Sequence, residues 1–220
     1  MIFNTPPAPA TSTLPGWFGK LPGMGDFASR RVPGQFRDRW DQWLQSGLHG
    51  LRARHDNWID QYLQGPVWYF ALGTGVAGAM PMVGVMIPSV DSAGRYFPLT
   101  LVLEWDQAAE HVSGADAREL GLTWYRCAQV AMAGLEQDMD ATRFENYLAH
   151  VFAQAPTDDE AHPAQMINLP GPGRSCWMQN YLQGQAGDIS VRGLPDAAGF
   201  DALFGCGAQT QTAPCGVLYE

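Results

Sequence analysis

Two short stretches carry the polar side chains best placed to do chemistry. One runs Trp17-Phe-Gly-Lys20-Leu-Pro-Gly-Met-Gly-Asp26-Phe-Ala-Ser-Arg30-Arg31, the other Pro88-Ser89-Val-Asp91-Ser-Ala-Gly94-Arg95-Tyr96-Phe97-Pro98. In each, an aspartate precedes an arginine by four residues inside a glycine-containing turn. Three chemistries fit this pattern. The aspartates can accept main-chain N–H groups in Asx turns while the arginines neutralise them. If the loops converge, Asp26 and Asp91 can form a paired-carboxylate site, one raising the pKa of the other, with Ser89 or Ser175 as a hydroxyl partner for a small hydrolase acting on phosphoprotein. Alternatively, Lys20, Asp26, Arg30, Arg31, Asp91 and Arg95 can form a charged recognition surface for another protein.

Other motifs give less. Gly73-Thr-Gly75-Val-Ala-Gly78 matches the dinucleotide pattern and follows a predicted strand. A pyrophosphate site needs that loop to open into a helix. Here Ala79-Met80-Pro81 and another strand follow, so a hairpin loop is expected. No GxSxG elbow is present, and Lys20 has no Ser or Thr three residues before it. His49, His55, His111, His150 and His162 are scattered without metal-ligand spacing. No catalytic, cofactor-binding or metal-ligating set is therefore expected.

These loops must be held by a framework, and the chain has the material for one. It has 220 residues, 46% of them apolar and 16% charged, outside the disordered class. A net charge of −9 argues against a nucleic-acid binder, which needs a cationic face. The apolar runs are far shorter than the ~20 residues that span a bilayer, so no membrane insertion is expected. Residues 1–15 lack the basic and apolar regions of a signal peptide and read as a flexible tail, with residues 16–220 forming one domain. Cys127, Cys176, Cys206 and Cys215 form no CxxC pair, and only Cys206 and Cys215 are placed to bridge across a polar loop. Reduced thiols in a cytoplasmic protein are the expectation.

Apolar residues at Phe36, Trp40, Trp43, Leu44, Leu48 and Leu51 predict a helix with Pro33 in its first turn. Gly47 and Gly50 should loosen its end. A short helix is predicted over 58–63, capped by Asp56 or Asn57. Residues 67–72, 82–88 and 97–105 read as strands joined by turns too short for a crossover helix, hence an antiparallel meander. Helical spacing returns over 116–136, with Asp116 and Glu119 at capping-box spacing, and over 141–155, ended by Pro156 and an exposed loop at Asp158-Asp159-Glu160. Strands near 175–179 and 189–192 and a helix near 195–204 follow. The expected class is α+β, a central, mainly antiparallel sheet packed by helices.

The strings GWFGKLPGMGDFASRRVPGQF (16–36), WDQWL (40–44), PVWYFAL (66–72), GVMIPSVDSAGRYFPLTL (84–101) and SCWM (175–178) resemble the TagF family of type VI secretion system-associated proteins. The resemblance is strong over residues 16–105. It implies a cytoplasmic accessory protein of a Gram-negative secretion apparatus, acting as a post-translational repressor of assembly or firing. The implied partner is the apparatus's FHA-domain scaffold protein. Some relatives are fused to a PppA-type phosphatase domain, which this sequence lacks. The family supplies no catalytic residues to carry over, so the leading expectation is a non-catalytic protein–protein interaction module.

Overall fold

The computed structural model describes residues 14–105, 111–157, 167–181 and 188–206. Most of the predicted tail, the Asp158–Glu160 loop, His162 and Cys215 lie outside them. The described chain starts at Leu14, which packs against the core, and the Pro15 carbonyl accepts hydrogen bonds from Arg31.

Residues 68–72 and 82–87 are apolar throughout, because both faces of their sheet are covered. The elements are β1 (Gly16–Gly19), β2 (Ala28–Arg30), α1 (Gly34–Arg54), α2 (Trp58–Leu63), β3 (Trp68–Leu72), β4 (Met82–Ile87), β5 (Leu99–Glu104), β6 (His111–Val112), α3 (Gly114–Glu136), α4 (Ala141–Ala153), β7 (Ile167–Asn168), β8 (Arg174–Met178), β9 (Ile189–Arg192) and α5 (Ala197–Leu203). A seven-stranded sheet has the order β2-β1-β5-β4-β3-β8-β9, and β6 pairs with β7 separately. Every pairing is antiparallel, and β3-β4-β5 form the expected meander.

The pleat sends alternate side chains to two cores. Trp17, Ala71, Val83, Val85, Leu101 and Cys176 face α3 and α4, where Leu120, Trp124, Phe144 and Leu148 complete one core. Phe18, Phe70, Leu72, Met82, Met86 and Trp177 face α1, α2 and α5, where Phe36, Trp40, Leu44, Tyr62 and Phe200 complete the other. Buried indoles on this second face find acceptors: Trp40 Nε1 donates to Thr100 Oγ1 at 3.0 Å and Trp68 Nε1 to the Leu203 carbonyl at 2.7 Å.

Several local expectations are corrected. Pro33 is the N-cap of α1, one position before the helix. α1 runs unbroken through Gly47, and a Cβ there would stand 2.3 Å from the Phe200 ring. That glycine lets α5 sit directly on α1. The 58–63 helix has Asn57 at its N-cap, but no side chain caps it. α3 begins at Gly114 behind Ser113, so Asp116 lies in the first turn and forms no capping box. α4 is capped as the sequence pattern demands, with Asp140 accepting from the N–H groups of Thr142 and Arg143.

The 73–78 glycine pattern is a β3–β4 hairpin loop closed by Gly75 N–H to the Gly78 carbonyl, with Val76 and Ala77 buried under α1. Cys206 is a free, buried thiol, so the Cys206–Cys215 bridge that the spacing allows is not formed. Cys127 is free as well, whereas Cys176 is disulfide-bonded, which departs from the expectation of reduced thiols throughout.

Candidate functional site

Sheet register brings the two chemistry-bearing loops together. Phe18 pairs with Thr100 across β1 and β5, and Ile87 pairs with Leu99 across β4 and β5. The loop leaving β1 and the loop entering β5 therefore emerge from the same end of the sheet. Gly19 makes the close passage possible: its φ is 138°, and a Cβ there would meet the Pro98 carbonyl oxygen at 2.2 Å.

Asp91 is the hub. Its Oδ1 accepts from the N–H groups of Ala93 (3.0 Å) and Arg95 (2.9 Å), an Asx turn closed by Gly94 N–H to the Asp91 carbonyl. Its Oδ2 accepts from Arg95 Nε at 2.8 Å and from Lys20 Nζ at 2.5 Å. Lys20 and Asp91 are both 3% exposed. The loops are further stitched by Ser92 N–H to the Met24 carbonyl, by the Arg95 guanidinium to the Gly25 carbonyl, and by Ser89 Oγ to the Lys20 carbonyl. Tyr62 of α2 joins the knot, its hydroxyl donating to the Ser89 carbonyl at 2.9 Å. Burial alone would push the Asp91 carboxyl up. The hydrogen bonds from Lys20 and Arg95 outweigh that and hold it well below the usual carboxylate range.

The second Asp–Arg loop is built differently. Asp26 is exposed and, among the described residues, accepts from the N–H of Phe27 at 2.8 Å, while Arg30 donates to the Ser29 carbonyl. Arg31, at φ 53°, crosses to the other core, where it pairs with Glu145 of α4 and grips the Pro15 carbonyl. Of the six charged residues that the sequence singles out, Lys20 and Asp91 pair in the interior with Arg95 at their rim. Asp26 lies exposed between Gly25 and Phe27, Arg30 bonds the Ser29 carbonyl, and Arg31 reaches Glu145. Asp26 and Asp91 share no hydrogen-bond donor among the described residues. Asp91 is saturated by cations and N–H donors. The hydroxyls of Ser89 and Ser175 are buried and donate to the carbonyls of Lys20 and Gly193.

What the knot displays is aromatic. Phe27, 45% exposed, stands edge-on to Phe97 at 4.7 Å and stacks on Phe18 at 6.1 Å, with Lys20 Nζ 4.9 Å from its ring centre. Tyr96 meets Trp58 edge-on at 5.3 Å, and the Arg52 guanidinium lies 4.6 Å over the Trp58 ring. Between Tyr96–Phe97 and the outer face of α1 lies an open cleft of about 590 Å³, lined on the helix side by Gln45, His49 and Arg52. Neither Asp26 nor Asp91 lines it. Aromatics beside the loops are expected as anchors, but reading the loops for charge does not single out Phe27 or Tyr96, nor His49 and Arg52 on α1. The available signals were an aromatic following Asp26 in a glycine-rich turn and a His–Arg pair three residues apart on the polar side of α1. Among the described residues no group of His, Cys, Asp and Glu is placed to hold a metal ion, and no helix is long and apolar enough to cross a membrane.

The knot, the cleft and both stretches of loop lie within residues 16–151, the region matched by the family model of the TagF N-terminal domain, type VI secretion system-associated. The crystal structure of PA0076 from Pseudomonas aeruginosa PAO1 is similar in fold and sequence, at 28% identity and a TM-score of 0.66, covering 91% of this chain and 98% of that one. No curated protein matches the chain. With the match extending over well over half of its length, the chain belongs to the TagF family of type VI secretion system-associated proteins.

Proposed function

We propose that this protein is a non-catalytic, cytoplasmic repressor of type VI secretion that acts by binding the FHA-domain scaffold protein of the apparatus. Membership of a secretion-associated family supplies the pathway. The observation that carries the rest is the buried Lys20–Asp91–Arg95 knot, which spends its charges on holding two loops rigid and leaves aromatic rings at the surface. A preorganised aromatic surface is what protein docking needs, because little ordering entropy remains to be lost on association.

The test has two arms. Purified chain and scaffold protein from the same gene cluster should bind each other in a calorimeter, and deletion of the gene should raise secretion into the medium while overexpression lowers it. Absence of scaffold binding, or secretion indifferent to both changes, would sink the proposal.

A further inference from the structure

We infer that the cleft between α1 and the Tyr96–Phe97 pair is the receptor for an acidic segment of a partner protein, one that carries an aromatic anchor. The inference deepens the docking reading above and rests on it. Shape is the first argument. The cleft is open along one side and about 590 Å³ in volume, with Leu48 and Phe97 as apolar lining. That is room for a large side chain and its flanking backbone, whereas small-molecule sites enclose their ligand.

Charge is the second argument. The chain as a whole carries −9, yet the ionisable groups of its own that line the cleft besides Tyr96 are His49 and Arg52, and no carboxylate lines it. Arg31, Arg37, Arg54 and Arg95 are each ion-paired to a carboxylate. Arg52 instead lies over the Trp58 ring, so its N–H groups are available to an incoming carboxylate. A lining that offers an arginine and an imidazole and no carboxylate favours an acidic segment.

The third argument is the ring system. Phe27, Phe97, Tyr96 and Trp58 run beside the cleft in successive edge contacts or as chain neighbours, and the knot beneath fixes Phe97 and Phe27. Such a row favours an aromatic anchor on the partner. One arginine beside one imidazole is too little for a nucleic acid, whose binding depends on neutralising many phosphates.

The probe is a fluorescein-labelled random copolymer of Glu and Tyr, read by anisotropy with the full chain, beside labelled poly-Glu and a single-stranded oligothymidylate. The copolymer should bind at least about tenfold more tightly than poly-Glu, since it alone offers the anchor. Arg52→Glu combined with His49→Glu should weaken it about tenfold or more, with Arg52→Lys close to wild type and Arg39→Glu, elsewhere on α1, unchanged. Should the double variant melt early, His49→Glu alone and Arg52→Gln carry the same comparison. Failure to bind the copolymer, indifference to the cleft variants, or preference for the oligothymidylate would overturn the assignment. If the copolymer binds at the cleft but the scaffold protein does not bind, the site stands and the scaffold reading falls. If the scaffold binds equally to the wild type and the double variant, the reverse holds.

Discussion

Lys20 and Asp91 lie 71 positions apart in sequence, yet the ammonium sits 2.5 Å from the carboxylate in the interior of the protein. Neither charge reaches solvent, so each depends on the other and on the N–H groups around them. Removing one partner of a buried pair leaves an uncompensated charge, which typically costs about 3–5 kcal/mol, whereas replacing both with apolar groups of similar volume is often close to neutral. Asp91→Asn should therefore lower stability by roughly that amount in urea unfolding, and Lys20→Met with Asp91→Leu should recover much of it if the hydrogen bonds to Ala93 and Arg95 are secondary. A double variant as unstable as Asp91→Asn would assign the main role to the Asx turn.

The same group sets an acid limit. Asp91 is held below its unfolded pKa, which is about 3.9. A carboxylate with a depressed folded pKa contributes its stability in full above the unfolded value and loses it as pH falls toward the folded one. The stability gap between wild type and Asp91→Asn should be constant from pH 5 to 7, on the order of the loss above, and should narrow below about pH 4. Urea midpoints measured across that range check it. A gap that stays open at low pH would show that charge is not what Asp91 contributes.

Most of the framework could be read from apolar spacing, because local pattern and tertiary burial agree there. α1 and α4 show the period of 3.6 that a one-sided core imposes, and β3, β4 and β5 show the near-continuous apolar runs of strands buried on both faces. β1 and β2 were invisible because four residues with a glycine at each end, and three residues ending in Arg30, carry no period of their own. They are strands only because β5 offers β1 a partner more than eighty positions away. β6 and β7, two residues each, were missed for the same reason. The site was half legible. Asp91 and Arg95 form the turn their spacing announces, but the identical spacing of Asp26 and Arg30 forms no pair, since β2 pairing with β1 directs Arg30 away. Spacing along the chain dictates a turn only where the chain remains a turn.

Gly47 looks like a weak point in α1 and is instead a docking notch. A Cβ at this position would lie 2.3–2.6 Å from three atoms of the Phe200 ring. Gly47→Ala gains up to about 1 kcal/mol of helix propensity but forces the ring aside, an overpacking cost of roughly 1–3 kcal/mol. The net effect in thermal unfolding should be destabilising, and Phe200→Leu in the same chain should recover part of it. A Gly47→Ala protein more stable than wild type would mean that α5 is free to move off α1.

Glu145 ties the N-terminal strand to α4 through two different donors. Its Oε2 accepts from Trp17 Nε1 at 2.8 Å, and both of its oxygens accept from the Arg31 guanidinium. Burial would raise its pKa, but the hydrogen bonds from Arg31 and Trp17 pull it below the usual range. Glu145→Ala leaves the buried Trp17 N–H without its acceptor, at a cost of about 1–3 kcal/mol. Glu145→Gln keeps an acceptor for the indole while losing the ion pair, and should cost less. Equal losses in the two variants, measured by urea unfolding, would place the stabilisation in the Arg31 pair rather than in the indole hydrogen bond.

Phe27 separates docking from folding. The ring is 45% exposed and rests on Phe97, so its removal uncovers little core. Met132 of α3, 44% exposed on the opposite side of the sheet, is a control of equal exposure and no proposed role. Interface anchors of this kind carry about 2 kcal/mol or more of binding, close to thirtyfold in Kd. Phe27→Ala should weaken binding to the FHA-domain scaffold by at least that factor while shifting the thermal midpoint only a few degrees, and Met132→Ala should change neither. Isothermal titration with both variants reads the binding and differential scanning calorimetry the stability. Scaffold binding unchanged in Phe27→Ala, or lost equally in Met132→Ala, would remove the aromatic rim from the docking surface and leave the Lys20–Asp91 knot with a purely structural role.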